Sequence, residues 1–446
     1  MDYGSILKKV SPSAGEEKKV VSFANKALGA AERASGLGAL ICGSLGKGTW
    51  LSGNHDIDIF VLFPKETPRQ YLEKKGLGIG AAVCKELGGS SCVRYAEHPY
   101  TMCMAGGFKV DIVPCYRIRP GESILSAVDR SPLHLEYVKA NLEDKMKGEV
   151  RLLKQFCKAA GIYGSDAKTQ GFSGYICELL VLKYGTFAGV VNAASKWRLP
   201  YTVDVAGHAT GHREIFVVVD PTDASRNAAA VVSPYNIVKF IMAAKRFAAS
   251  PSADYFREQK LKPLAAAQLR QLKARGTHFI CLSMKRPDMV DDTLYPQARR
   301  AVSRLSGILR HNEFLPVRSG EFLGKEMIFF FELESGKLPE VKKMTGPPLF
   351  ARKHVEEFAM KYGNLAYVEG INACADRKRD YRTPRELFLG IMKNGEKELA
   401  AMGIPEAVAK PLKSAKISEQ DGFFRLLRDA GFSDLLRRMY FDSPMA

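Results

Sequence analysis

Hydrophobic and polar positions change rhythm three times along the chain. Up to residue 37 the spacing predicts helix, stopped by Gly36 and Gly38. Short strands follow at 39–42 and at 57–63, where IDIFVLF is closed by Pro64. Helical spacing returns over 71–87 despite its glycines. Further strands are expected at 91–97 and in the runs MCMAGG and FKVDIVPCY. The last two read as a hairpin across Gly106 and Gly107.

From about residue 146 helices dominate. Apolar residues at 150, 153, 156 and 157 precede a terminating Gly161. Ser173 caps an apolar helical run, and the strand EIFVVVDP is closed by Pro221. Ser233 and Pro234 then open a helix that stops before Pro251. The stretch 259–310 carries eleven Lys or Arg against three Asp. After Pro296 a helix can bury Ala301, Leu305 and Ile308, leaving Arg299, Arg300 and Arg304 toward the other side. Those arginines either track phosphates or simply solvate a face. A hairpin strand at 321–334, a basic loop and a helical tail from 380 complete the chain.

With 446 residues, two to four domains are expected. The rhythm divides them at 1–145, 146–258 and 259–446. The fold class is α+β and multidomain: an N-terminal mixed sheet with helices, a helix-rich centre and an α/β C-terminal region. Apolar residues make up 46%, which argues against disorder. No uncharged apolar run approaches a membrane span and the start of the chain is polar, so the expectation is a cytoplasmic protein without a membrane. Nine cysteines without a CxxC pair suggest reduced thiols. The formal charge of +18 favours a polyanionic partner, nucleic acid first.

Candidate chemistry concentrates in ICGSLGKGTWLSGNHDIDIFVLF, residues 41–63. Side chains two apart on a strand share a face, so Asp56 and Asp58 point the same way. Adjacent like charges repel and lose hydration, and fold stability alone disfavours them. A divalent cation resolves the conflict; Mg²⁺ takes hard oxygen ligands. Asp111, set between apolar residues of FKVDIVPCY, is the candidate third acid. Three inward acids on neighbouring strands would hold two Mg²⁺ ions for an in-line displacement. The plainer alternative makes Asp56 a turn cap and pairs Asp111 with a lysine. Upstream, Gly43, Ser44, Gly46 and Lys47 form a glycine-rich turn suited to phosphate oxygens. It lacks the Walker A spacing.

A Gly-Ser turn followed by Asp-x-Asp and a distant third Asp resembles the polymerase β-type nucleotidyltransferase superfamily. The ordered blocks RYAEHPY, VDIVPCY, SAVDRSPLH, EVRLLKQF, GIYG, GFSGYICELL, DPTDASRN and RPDMVDDTLYPQ resemble the class I, archaeal-type CCA-adding enzymes. They cover residues 41–297; beyond 310 the resemblance is looser.

The resemblance implies a palm-like catalytic sheet, CTP and ATP as substrates, and a tRNA acceptor–T arm held by the basic C-terminal region. It also suggests a homodimer. Asp56, Asp58 and Asp111 take the metal and catalytic positions, and Gly43, Ser44 and Lys47 the triphosphate loop. Lys47 stands where relatives often carry Arg, and Gln170 where a basic residue is expected. Ser131 and His134 match a nucleotide contact; residues alone would make His134 a helix-surface histidine. Lys154 and Tyr163 match triphosphate and sugar contacts. Arg226 matches the residue that reads the base, or it pairs with Asp220 or Asp223. A donor-only guanidinium suits the acceptors of cytosine and adenine and clashes with the N–H groups of guanine and uracil. Glu97 and His98 stand near the primer end, or form a structural turn before Pro99. The implied activity is template-independent addition of C, C and A to tRNA. A poly(A) polymerase, an oligoadenylate synthase or a non-catalytic RNA-binding protein on the same fold are the alternatives.

Overall fold

The computed structural model describes residues 3–95, 97–208 and 211–442. The chain forms two compact units, within residues 1–259 and 260–443. The boundary expected near residue 145 runs inside the first.

In the first unit, α1 (Gly4–Val10) and α2 (Ala14–Ser35) lead in, with Gly36 in the left-handed conformation closing α2. A mixed sheet follows: β1 (Ala39–Ile41), β2 (Asp56–Phe63), β3 (Ser90–Tyr95), β4 (Pro99–Ala105) and β5 (Phe108–Tyr116), in the order β1-β2-β5-β4-β3. The five-residue α3 (Gly43–Lys47) joins β1 to the loop before β2, and α4 (Arg69–Glu86) connects β2 to β3. Gly106 and Gly107, both at positive φ, make the β4–β5 turn.

Strand alternation sorts β2 into two faces. Ile57, Ile59, Val61 and Phe63 are buried with the alanines of α2 and with Leu72, Ile79 and Val83 of α4. The opposite face carries Asp56, Asp58, Phe60 and Leu62. Phe60 and Leu62 pack with Val113, Cys115 and Leu135. The two acids therefore sit at the end of a face whose remainder is core. Strand β2 pairs β5 in parallel, with Asp58 opposite Asp111 and Asp56 opposite Lys109.

The helical part of this unit comprises α5 (Arg130–Asn141), α6 (Asp144–Ala159), α7 (Gly174–Tyr184), α8 (Phe187–Ala194) and α9 (Pro234–Ala249). A small sheet of β6 (Tyr201–Val203), β7 (Phe216–Asp220) and β8 (Asp223–Asn227) accompanies them. Ser173 and Ser233 cap α7 and α9 through their hydroxyls, and Pro234 occupies the first turn of α9. Among the described residues no single helix is long and apolar enough to cross a membrane. The apolar pair α7–α8 bends by 91° and lies in the core.

In the second unit, α10 (Ala266–Lys273), β9 (His278–Lys285), α11 (Asp291–His311), β10 (Pro316–Leu323) and β11 (Glu326–Leu333) come first. Next are β12 (Val341–Pro348), α12 (Arg352–Tyr362), β13 (Ala366–Glu369) and β14 (Asn372–Lys378). The tail holds α13 (Pro384–Met392), α14 (Glu396–Ala401), α15 (Glu406–Leu412), β15 (Lys416–Glu419), α16 (Asp421–Arg425) and α17 (Ala430–Phe441). Strands β10-β11-β9-β15 make one sheet and β12-β14-β13 another.

Three expectations need correction. Helix α11 begins at Asp291, not after Pro296. Asp291 and Asp292 favour its first turn through the helix dipole, and Pro296 lies inside. The tail from 380 is interrupted by β15, which borrows the edge of β9. The thiols are not all reduced: Cys84 and Cys103 form a disulfide. Both sulfurs are buried where α4 packs on β4, a proximity that a separation of 19 residues does not reveal.

The helical core centres on Phe156, 1% exposed, whose ring contacts those of Phe187, Phe240, Phe247, Tyr255 and Phe256. Replacing it with alanine is expected to cost about 3–5 kcal/mol, read as an earlier transition of this unit in chemical denaturation.

Candidate active site

The acids come together because of strand register. On one face of β2 and β5, Asp56 and Lys109 stand side by side, and Asp58 and Asp111 stand side by side one pleat further on. Lys109 Nζ lies 3.1 Å from Asp111 Oδ2 and 3.5 Å from Asp56 Oδ1. The alternative that pairs Asp111 with a lysine is thus realised, and the lysine belongs to the same cluster. Among the described residues no ready-made cage of three His, Cys, Asp or Glu surrounds a common ion position. Lys109 supplies the positive charge here.

The donor set nevertheless suits a cation. Asp111 Oδ1 is buried without a hydrogen-bond partner. Burial raises the Asp58 carboxyl to about 6, and the neighbouring Asp111 and Asp56 add to the rise against Lys109 and Lys47. Burial likewise raises Asp111 despite Lys109. One ammonium does not balance three carboxylates, and an unpaired buried oxygen is costly. Both conditions favour added positive charge.

The glycine-rich turn is fitted to these acids. Gly43 has φ +61, and a Cβ there would overlap Asp58 Oδ2. Cys42 N–H donates to the Asp58 carbonyl at 2.8 Å. A Cβ on Gly46 would collide with the Ile41 carbonyl. The turn therefore seats Ser44 and Lys47 beside the acids, with the first N–H groups of α3 lacking intrahelical partners.

Lys47 and Lys154 converge on one residue absent from the sequence-based set. Glu178 of α7 is fully enclosed; Lys47 Nζ donates to its Oε2 at 2.8 Å, and Lys154 Nζ to its Oε1 at 3.2 Å. Thr49 adds a hydroxyl bond of 2.6 Å. Burial alone would raise Glu178, but the two lysines and these bonds outweigh it and hold its pKa at about 2. Lys154 also donates to the Thr49 carbonyl at 3.0 Å, and Arg151 holds the carbonyls of Gly48 and Trp50. Helix α6 thereby pins the end of the turn. Gly174 leaves room for Lys154 and Tyr163: a Cβ there would lie 3.2 Å from both Lys154 Nζ and the Tyr163 hydroxyl.

A cavity of about 580 Å³ opens beside this network, lined among others by Arg130, Ser131, His134, Tyr175 and Arg226. His134 is not a surface histidine. It stacks on Tyr175 with ring centres 3.8 Å apart and bonds Asp220 through Nε2 at 2.8 Å. Lys47 Nζ lies 4.7 Å from the Tyr175 ring centre, which connects the glycine-rich turn to the cavity. Arg226 pairs with Asp220 at 2.8 Å, whereas Asp223 pairs with Arg130 at 3.0 Å.

Glu97 and His98 lie apart from the acid cluster's hydrogen bonds. Glu97 accepts from Ala127 N–H and faces Arg69 at 3.7 Å. His98 is buried, and neither ring nitrogen has a hydrogen-bond partner. In the second unit Arg299 bonds Glu321 at 2.9 Å, Arg304 bonds the Met402 carbonyl, and Arg300 is exposed.

The residues missed from sequence are Lys109, Glu178, Tyr175 and Gly174, whereas Asp220 was expected only as a partner for Arg226. Two had a signal. Glu178 is the one acid in GYICELLVLKY, and Lys109 shares the face of Asp111 by alternation. Tyr175 and Gly174 acquire meaning only through contacts distant in sequence.

Comparison with known proteins gives a consistent result. A nucleotidyltransferase domain model matches residues 26–134, a model of the second domain of tRNA nucleotidyltransferases matches 148–257, and a model of the CCA-adding enzyme C-terminal domain matches 275–411. The CCA-adding enzyme of Methanosarcina acetivorans is 35% identical and covers 97% of both chains. That of Methanothermobacter thermautotrophicus is 38% identical over 86% of both, and that of Methanocaldococcus jannaschii 36% identical over 83% of this chain and 84% of its own. A solved cytoplasmic RNA terminal U-transferase superposes on 57% of this chain and 97% of its own, with 19% identity and a TM-score of 0.44. Identity at this level across nearly the full length, with three family models in order, means that the chain belongs to the CCA-adding enzyme family, the class I tRNA nucleotidyltransferases.

Proposed function

We propose that the acid cluster and the adjoining cavity carry out the family's reaction, adding C, C and A to the 3′ end of tRNA from CTP and ATP and releasing pyrophosphate. The observation that carries this reading is the register of Asp58 against Asp111, which concentrates three carboxylates beside the Gly43–Lys47 turn. Asp56, Asp58 and Asp111 would hold Mg²⁺, for which the orphaned Asp111 oxygen and the raised Asp58 carboxyl speak. When bound, Mg²⁺ neutralises charge on the triphosphate and acidifies an attacking hydroxyl.

The chain's own residues do the positioning. Gly43 and Ser44 offer backbone N–H groups and a hydroxyl to the triphosphate. Lys47 and Lys154 add charge, and Glu178 keeps both ammonium groups in place. Tyr163 and Ser131 contact the sugar and phosphates. Tyr175 and His134 form one wall of the cavity, and Arg226 presents N–H donors to the base. Cytosine and adenine offer acceptors there and are retained; uracil and guanine bring N–H groups and are refused. The tRNA 3′-hydroxyl approaches Asp111 and Asp58, with Glu97 and His98 near the primer end. Arg299, Arg300 and Arg304 belong to a region that grips the acceptor–T arm by shape and backbone, as double-stranded RNA requires.

Three outcomes follow. Asp111→Ala should keep tRNA binding in a gel-shift assay while CMP and AMP incorporation falls by at least ~10³; retained incorporation refutes the assignment. A tRNA ending at its discriminator base, given each NTP and sized on a gel, should gain three residues from CTP and ATP together; a long A tail would instead mark a poly(A) polymerase.

The third outcome concerns pH and stability. Glu178 has a folded pKa near 2, below its ordinary 4.5. Its pairing therefore stabilises the fold fully above about pH 4.5 and loses that contribution as pH falls toward 2. Glu178→Gln leaves two lysines without their counter-charge and should lower stability by about 3–5 kcal/mol at neutral pH, a deficit that shrinks on acidification. Denaturant melts of both proteins between pH 3 and 7 read the difference.

A further inference from the structure

Asp220 stands behind the cavity wall, bonded to three of its lining residues, His134, Tyr175 and Arg226. It is 0% exposed, and its two oxygens accept five hydrogen bonds. Oδ1 takes the Tyr175 hydroxyl at 3.0 Å, Thr222 N–H at 3.0 Å and the Thr222 hydroxyl at 2.8 Å. Oδ2 takes His134 Nε2 at 2.8 Å and Arg226 at 2.8 Å. These bonds hold its carboxyl well below the usual range against the effect of burial. The residue is a fixed, saturated anion at the end of β7.

Arg226 differs in character. Its side chain is 35% exposed and lines the cavity. A guanidinium carries five N–H donors on a flexible stem. Such a group rejects a base bearing N–H at the facing edge only if it cannot swing aside. The short β7–β8 turn sets Asp220 and Arg226 six residues apart, and their charge-assisted bond restrains the fork. His134, on the same oxygen as Arg226, and Tyr175, on the other, brace the carboxylate, so its own position is fixed before a nucleotide enters.

We propose that Asp220 is a positioning residue for base selection, holding the Arg226 guanidinium at the cavity wall so that cytosine and adenine are accepted and uracil and guanine refused. This rests on the reading of Arg226 as the base contact. Asn at 220 keeps the volume but not the charge. Its amide nitrogen is also a donor, so no orientation of it satisfies all five donors. Thr222→Val is milder: it removes one hydroxyl from Oδ1 and leaves the carboxylate.

The test measures kcat/KM for CMP and for UMP addition to tRNA lacking its last three residues, and takes their ratio. A residue that merely stabilised the fold would lower both alike and leave the ratio unchanged. Asp220→Asn is expected to shrink the ratio by about tenfold and Thr222→Val by about twofold in the same direction. The double variant Asp220→Asn, Arg226→Ala should be no less selective than Arg226→Ala alone. Should Asp220→Asn fail to fold, the Thr222→Val ratio decides. An unchanged ratio in Arg226→Ala overturns the base-reading assignment itself. A relaxed ratio in Arg226→Ala with an unchanged ratio in the folded Asp220→Asn variant, or in Thr222→Val if that variant does not fold, overturns the role of Asp220 alone.

Discussion

Two aspartates placed opposite each other on paired parallel strands are the constraint around which the first unit is organised. Like charges at opposed positions destabilise a sheet, and here Asp58 and Asp111 are register partners with Asp56 two residues away. The surroundings respond in three ways. Gly43 withholds a Cβ so that the turn can close over Asp58. Lys109 lies between two of the carboxylates. Asp58 becomes a weaker acid than an exposed carboxyl, with a pKa near 6. A site that keeps this repulsion in its resting state gains more from a cation than a relaxed one would.

The rest of the pocket follows a second pattern, in which a buried carboxylate gathers several hydrogen-bond donors. Glu178 gathers Lys47, Lys154 and Thr49 at the glycine-rich turn. Asp220 gathers His134, Tyr175, Thr222 and Arg226 at the cavity. In each case the acid is enclosed and the groups it holds come from separate helices, strands and turns. Lys47 over the Tyr175 ring and Tyr175 against His134 join the two networks. Preorganisation of this kind removes ordering cost at the moment of nucleotide binding.

Much of this was legible in the sequence, for reasons that can be named. Period-two alternation put Asp56 and Asp58 on one face of DIDIFVLF and Asp111 on one face of FKVDIVPCY, and glycines marked the β4–β5 turn. Serine caps located α7 and α9. Alternation says nothing about which strands pair, so the Asp58–Asp111 register needed coordinates. Glu178 was visible only as an oddity in an apolar helix, since its partners lie 24, 129 and 131 residues away. The Cys84–Cys103 disulfide and the start of α11 before Pro296 depend on packing that local pattern does not encode.

The central claim is that three carboxylates meeting on β2 and β5 form a divalent-cation site. Titration of Mn²⁺ into the protein, followed by the loss of the free-ion electron paramagnetic resonance signal, tests it without reference to turnover. The account predicts that, with no nucleotide added, wild-type protein binds Mn²⁺ and that Asp58→Asn lacks that binding. Equal stoichiometry and affinity in the two proteins would contradict it.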